Sequence, residues 1–362
     1  MHLNTFIGHL HEMLTSFHKA FPERSFHKTS VTKQRLVNGL KELPPNALHV
    51  LHNTNPIIQT GMIGDVELVT FKWQRYDVKM YLLHTPHLPP VRRIVYYVCL
   101  FLHLIQHTIH QAQSNNTTRH EIQLILTAFS NLKIFPQGQE EITRIHVNGG
   151  VNWNGYAMVY RKQEFFKVLM HELLHYVGLD DAFRSYSHLV GPVEEQFAKR
   201  YGIHTPRMGL NETYNDLITC LWVIGIPVYN SRRNASQSKQ NFIKAYHAQL
   251  VTTKTYMIHR CAAILKHFNI GPPVTFPFRH NAFQEQSHVF TYFICKTALF
   301  YTLPLTLNKL GVPWEMSEDK LALFMKLVQK AIELKGFVSK LNGALYSPHR
   351  RVGLRMLDIE IK

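Results

Sequence analysis

Residues 162–181 read KQEFFKVLMHELLHYVGLDD, and this stretch determines how the rest of the chain is interpreted. Between Phe166 and Val177 the apolar residues recur at intervals of three and four, which is the period of one face of an α-helix. Gly178 can end this helix, because glycine readily adopts the left-handed conformation that closes a last turn. The sequence therefore predicts a helix over about residues 162–177, preceded by strands.

The predicted helix contains the pattern His-Glu-x-x-His, formed by His171, Glu172 and His175. Residues four apart lie about 40° apart around a helix, so both imidazoles can bind one tetrahedral zinc ion. Glu172 projects beside them, where a carboxylate can take a proton from a water that the metal has acidified. The chain has 24 histidines, so the spacing alone is weak evidence. Its place inside an amphipathic helix favours a metal site, and one such motif with one distal carboxylate predicts one zinc ion per chain.

A catalytic zinc site needs a third protein ligand and an open position for water. Glu212 and Asp216 are four residues apart, immediately before an apolar run at 217–226. A helix over about 210–226 would place both carboxylates on one face, where one can bind the metal while the other orients a ligand histidine.

Asp181 is the alternative third ligand, because residues 171–181 also spell HExxHxxGxxD. Gly178 would turn the chain so that the Asp181 carboxylate could reach the metal. Met208 or Met257 would then be the methionine beneath the site. We favour Glu212, because its helix supplies a second, supporting carboxylate.

The order of elements predicts an α+β fold, with strands first and helices later. Three segments are expected: residues 1–60 as helix and loop, 61–230 as the catalytic core with a mixed sheet, and 231–362 as a helical region packed on it. The strands are expected at Asp65–Trp73, Val78–His84, Glu121–Phe129, Ile142–Val147 and Gly155–Tyr160, with a helix at Val91–Gln113 and helix breaks that include Gly191-Pro192.

Composition limits the classes of partner without choosing among them. The formal net charge of +16 permits binding to nucleic acid, an anionic membrane surface or an acidic protein. The four cysteines form no CxxC pair, and the N-terminus has no apolar core of a secretion signal, so a reducing intracellular compartment is expected. No membrane span is predicted, and His288–Leu307 is expected to be a buried helix.

Two motifs resemble families of metallopeptidases. Residues 211–216, NETYND, resemble the Asn-Glu-x-x-x-Asp element of gluzincins, in which the glutamate completes the zinc site and the aspartate supports a histidine. Together with 147–150 and 160–181, they are similar to uncharacterised zincin-like proteins of large DNA viruses, over about Ile145–Trp222. The resemblance implies a zincin-like core, and a location in host cytoplasm or virion.

The resemblance also implies further roles. In zincins the strand before the active-site helix is the edge of the sheet and binds substrate as an added strand, which would be Ile142–Gly150 or Gly155–Tyr160 here. A weaker similarity continues at Gln284–Leu299, where Tyr292 and Lys296 stand. Tyr292 could donate a hydrogen bond to the tetrahedral intermediate.

The most favoured function is a zinc metallopeptidase acting on a protein or peptide substrate. One alternative is a basic, virus-encoded binding or virion protein whose zinc site is structural or relict. Another is nucleic-acid binding, which rests only on charge. His103, His107 and His110 have helical spacing that could hold a second metal, and no downstream histidine stands out as an electrophile.

Overall fold

The computed structural model describes residues 2–21, 31–53, 63–108, 120–138, 140–205, 207–231, 238–278, 283–311, 316–347, 354–357, 359 and 361. The fold is 60% helical and 15% strand with a mixed sheet, in agreement with the predicted α+β class. A zincin-like core within this class remains a prediction.

A mixed sheet of six strands forms the first part of the fold. Its order is β1-β2-β3-β4-β6-β5, with parallel pairing at β3–β4 and β4–β6 and antiparallel pairing elsewhere. A second sheet consists of one parallel pair, β7–β8. The strands are β1 (Thr32–Leu36), β2 (Val66–Trp73), β3 (Tyr76–Leu83), β4 (His120–Phe129), β5 (Gly150–Trp153), β6 (Tyr156–Arg161), β7 (Ile203–His204) and β8 (Phe283–Gln284).

Helices make up most of the remaining described chain. They are α1 (Leu3–Ala20), α2 (Pro45–Asn53), α3 (Val91–Thr108), α4 (Arg144–Val147), α5 (Phe165–Tyr176), α6 (Asp181–Ser185), α7 (Ser187–Tyr201), α8 (Leu210–Asn230), α9 (Lys239–His267), α10 (Lys296–Tyr301), α11 (Leu303–Leu310), α12 (Glu318–Ile332) and α13 (Lys335–Tyr346). A 3₁₀ turn lies at Gly39–Glu42, and a π-helical segment lies at Phe290–Cys295.

The chain divides into two compact units. One comprises residues 11–132 and 149–178 and contains the six-stranded sheet with α2, α3 and α5. The other comprises residues 1–10, 133–148 and 179–362 and contains α6 to α13. The three segments expected from the sequence remain a prediction.

The two faces of the β5–β6 hairpin carry different side chains. Tyr156, Met158 and Tyr160 belong to a buried apolar cluster that includes residues of α2, and Val151 packs against it. Gly150 and Asn152 lie on the opposite face, against α5. The small Gly150 lets the strand approach α5 closely.

Several strands in the structure differ from those predicted. Residues 142–147 are not a strand: Ile142 forms a single bridge to Glu285, and 144–147 are a helical turn. The His146 ring accepts a hydrogen bond from the Thr143 N–H at 3.0 Å, so a local cap competes with strand pairing.

The substrate-edge prediction is also wrong in its bounds. The edge strand is Gly150–Trp153, which the sequence analysis missed, and the 156–161 strand is interior. The hairpin turns at Asn154-Gly155, both with positive φ, as two-residue hairpins require.

Other boundaries also differ from those predicted. The helix predicted at Val91–Gln113 is present over Val91–Thr108, and residues 109–113 lie outside the described part of the chain. Helix α7 continues through Gly191-Pro192, where a break was expected. The region 1–60 contains a strand, β1, which was not predicted. Most of the region 289–307 is buried and helical as expected, although part of it is π-helical and Leu305 is exposed. None of the described helices is long and apolar enough to cross a membrane.

Candidate metal centre

Helix α5 carries the His-Glu-x-x-His pattern, as predicted. It begins at Phe165, after Glu164 adopts a left-handed conformation with φ of 60°, and it ends before Gly178, whose φ is 76°. Its residues from Phe165 to Leu174 are all buried, including His171 and Glu172. His175 is half-buried, and burial of the polar side chains of His171 and Glu172 requires partners inside the protein.

The two histidines of α5 converge on one point. The Nε2 atoms of His171 and His175 are 3.0 Å apart, and their rings are inclined at 75°. Two nitrogens bound to one tetrahedral zinc at the usual bond length are about 3.3 Å apart. The spacing of the ring nitrogens therefore fits a shared metal ion with small adjustment.

Helix α8 supplies a carboxylate to the same group. The ligand atoms of His171, His175 and Glu212 lie within 4.8 Å of one another, so these residues could bind a metal ion. Glu212 lies in the first turn of α8, where its N–H donates to the Gly209 carbonyl at 3.0 Å. Two imidazoles and a carboxylate are a donor set that suits zinc and leaves a position open.

Tyr292 contacts the proposed third ligand. Its hydroxyl donates to Oε2 of Glu212 at 2.7 Å, and its side chain is buried. The Asn211 amide lies 3.4 Å from Oε1 of the same carboxylate. Tyr292 thus orients Glu212, and its predicted hydrogen bond to a reaction intermediate remains a prediction.

Asp216 lies one turn further along α8 and is completely buried. The Lys296 ammonium donates to its Oδ2 at 2.5 Å, and this lysine is 1% exposed. The Cys220 thiol lies 3.9 Å from the same oxygen. The shared face of Glu212 and Asp216 agrees with the predicted helix, whereas the role of Asp216 toward a histidine remains a prediction.

Asp181 lies in a different environment. It is in α6 and forms an exposed ion pair with Arg184 one turn later. Among the described residues, the group that could hold a metal contains Glu212 and not Asp181. The predicted methionines, Met208 and Met257, are both buried.

Glu172 lies directly against the edge of the sheet. A Cβ atom on Gly150 would be 2.8 Å from Cγ of Glu172 and 2.7 Å from the Met158 carbonyl oxygen. The Asn152 amide donates to the Glu172 carbonyl at 3.1 Å. Strand β5 therefore lies beside the carboxylate that the sequence identifies as a base.

The second metal that the spacing of His103, His107 and His110 could allow is not tested, and His103 has hydrogen-bond partners of its own. Its Nε2 is 2.9 Å from the Ser16 hydroxyl, and its Nδ1 is 3.3 Å from the Gln74 amide nitrogen. Burial, followed by the neighbouring His107, lowers the pKa of His103 to about 4. His103 is a hydrogen-bonded core histidine, and His110 lies outside the described residues.

Sequence reasoning missed His288, which lies close to the start of α8. Its Nδ1 is 3.1 Å from the Arg207 carbonyl oxygen and 3.2 Å from that of Met208. It precedes Tyr292 by four residues, but nothing in the sequence shows that its backbone is left-handed.

No protein-family model, curated protein or solved structure matches this chain.

Proposed function

We propose that the protein is a zinc metallopeptidase in which His171, His175 and Glu212 hold one zinc ion and Glu172 is the general base. The grouping of the three ligand atoms within 4.8 Å is the observation that carries the proposal. Two of those ligands come from a helix that also carries a buried glutamate, and the third comes from a separate helix 37 positions further along the chain. The fold of such an enzyme would be a gluzincin-like zincin.

The chemistry divides between the ion and the chain. A bound zinc ion supplies Lewis acidity, which polarises a peptide carbonyl and acidifies water. Glu172 accepts a proton from the attacking water and returns it to the leaving amine.

Strand β5 offers a surface on which an extended peptide could bind. The Gly149 carbonyl accepts a hydrogen bond from the Tyr160 N–H of β6 at 2.9 Å. Because hydrogen-bonded pairs alternate along an antiparallel ladder, Val151 and Trp153 also form hydrogen-bonded pairs with β6. The N–H and C=O groups of Gly150 and Asn152 therefore point away from β6. Among the described strands, none pairs with this outer edge. A substrate strand added there would pass beside Glu172.

The proposed setting is intracellular. All four cysteines are buried free thiols, which is typical of a reducing compartment. An acidic or nucleic-acid partner for the basic chain remains a prediction.

The test compares wild type with Glu172→Gln on the same zinc-supplemented preparations. We expect about one zinc per chain in both, because glutamine keeps the shape of glutamate and is not a ligand. Hydrolysis of a mixed peptide library should be lost in the variant, because glutamine cannot accept the proton. Absence of zinc from wild type would contradict the metalloenzyme. Loss of zinc together with activity in the variant alone would instead place Glu172 in a structural role.

A further inference from the structure

Three side chains on residues 288–296 contact the start of α8 and the residues just before it at regular intervals. His288 meets the backbone just before the helix, Tyr292 meets Glu212, and Lys296 meets Asp216. Each contact lies four residues beyond the preceding one on both segments, so the two run in the same direction. Residues 288–296 include the π-helix, a conformation found often at functional sites.

The backbone of His288 is strained. Its φ is 57°, in the left-handed region that residues with a Cβ atom rarely adopt. Such outliers persist where surrounding contacts hold them, and they cluster at functional sites. Here the holding contact is the hydrogen bond from Nδ1–H to the carbonyl groups of Arg207 and Met208.

Gly209 provides the space that the His288 ring occupies. A Cβ atom on Gly209 would be 2.5 Å from Nδ1 and 2.9 Å from Cε1 of that ring. Gly209 also has a φ of 68°, and its carbonyl accepts the Glu212 N–H. The ring therefore packs on the residue that begins the turn from which Glu212 projects.

We propose that His288 is a positioning residue for the metal site. Its ring fixes the first turn of α8 at Gly209, and Tyr292, one turn later on the same segment, holds the Glu212 carboxylate. The third ligand is then already oriented before a metal binds, which lowers the cost of binding. This inference rests on the proposed function only in taking Glu212 as a ligand.

The test measures zinc affinity by competition with a chromogenic chelator for His288→Ala, Gly209→Ala and the double variant. His288→Ala should weaken zinc binding about tenfold, as loss of a group that orients a ligand typically does. Gly209→Ala should weaken it further, because its methyl group displaces the ring. The double variant should be weakened by less than the product of the two single effects, since the ring is no longer there to be displaced.

Two readouts separate positioning from general destabilisation. The visible absorption of the cobalt-loaded protein reports ligand geometry, and it should change in His288→Ala while thermal melts show a folded protein. His288→Asn should recover part of the affinity, because asparagine tolerates a left-handed backbone and can donate to the same carbonyls. His267→Ala is the matched control: its Nε2 also bonds a backbone carbonyl, that of Glu140, at 2.9 Å.

The outcomes are distinguishable. Zinc binding by wild type with unchanged affinity and cobalt spectrum in both single variants would overturn the positioning role and leave the proposed function standing. Absence of zinc binding by wild type would overturn both. Strictly multiplicative effects of the two substitutions would show that the ring and Gly209 act separately, and would also overturn the proposal.

Discussion

Asp216 and Lys296 form an ion pair that water barely reaches, at 0% and 1% side-chain exposure. Burying two charges is costly, and an apolar pair of similar volume is often at least as stable. The pair lies one turn beyond Glu212 and Tyr292. It therefore fixes the register of the two segments that orient the proposed ligand. Removing either partner alone would leave an uncompensated charge in the interior.

Glu285 is a second buried acid. The groups that shift its pKa are backbone N–H groups and another carboxylate, Glu141, and none of them is a cation. Burial raises its pKa to about 8, although the N–H groups of Val289 and Phe290 partly offset the effect. The Phe290 N–H donates to Oε2 at 3.0 Å. The carboxyl group is therefore expected to be largely protonated in the folded protein at neutral pH.

We expect Glu285→Gln to change how stability depends on pH. Because the pKa is raised from 4.5 to about 8, the folded state binds the proton more tightly. The stabilising effect is complete below the unfolded pKa and is lost as pH rises toward 8. The difference in Tm, Glu285→Gln minus wild type, should therefore increase between pH 5 and 8. Glu318→Gln, at an exposed site on α12, is the control. Equal slopes for wild type and Glu285→Gln would contradict the raised pKa.

At the residue scale, the sequence predicts those residues of the candidate site whose spacing has a chemical reason. His171, Glu172 and His175 follow from the geometry of one helix, and Glu212 follows from a carboxylate pair at helical spacing. His288 could not be identified, because its importance lies in a left-handed backbone and in contact with Gly209 across 79 positions of sequence. Neither is encoded by a local pattern.

The elements that the sequence missed are those that depend on pairing. Strand β1 has the sequence TKQRL, four of its five residues are exposed, and it is a strand because it pairs with β2. Strand β5 has four residues including Gly150, too few to show alternation. Conversely, 142–147 looked like a strand because Ile142, Ile145 and Val147 are apolar, but the cap at Thr143 favours a helical turn. The β2–β3 hairpin and helix α5, with clear periodicity, were predicted correctly.

We expect the backbone N–H of Asn152 to contribute to substrate binding. This N–H points away from β6, so Asn152→Pro removes a donor at the open edge without breaking a ladder hydrogen bond. Asn152→Ala is the control, because it loses the same side-chain contact with the Glu172 carbonyl and keeps the N–H. Relative to Asn152→Ala, Asn152→Pro should raise KM several-fold for an extended peptide substrate.

Thermal melts and zinc content should show that both Asn152 variants fold and bind metal. Equal KM values for the two would mean that the peptide does not pair with this strand at Asn152. Val151→Pro would remove an N–H directed toward β6, so it should lower Tm more than Asn152→Pro does.

For the whole molecule, the net charge of +16 carries less information than the site. It permits several anionic partners and requires none, since a basic surface also aids solubility. The fold class could be predicted because strands precede helices along most of the chain. Its division into compact units could not, because residues 1–10 and 133–148 group with the C-terminal half through contacts distant in sequence.

Zinc should stabilise the whole folded protein, because its proposed ligands lie far apart in the unfolded chain. A ligand that binds only the folded state adds about 2.7 kcal/mol when its free concentration is 100 times Kd. The Tm of wild type should therefore fall on treatment with a chelator and rise again with zinc.

Glu212→Ala removes one of the three residues that could bind the metal, so it should lose most of this response. Asp181→Ala, altered at an exposed ion pair, should retain it. Asp216→Ala should fall between them in zinc affinity if Asp216 orients a histidine. A zinc response that survives Glu212→Ala and disappears in Asp181→Ala would contradict the assignment, and the third ligand would then follow the HExxHxxGxxD spacing.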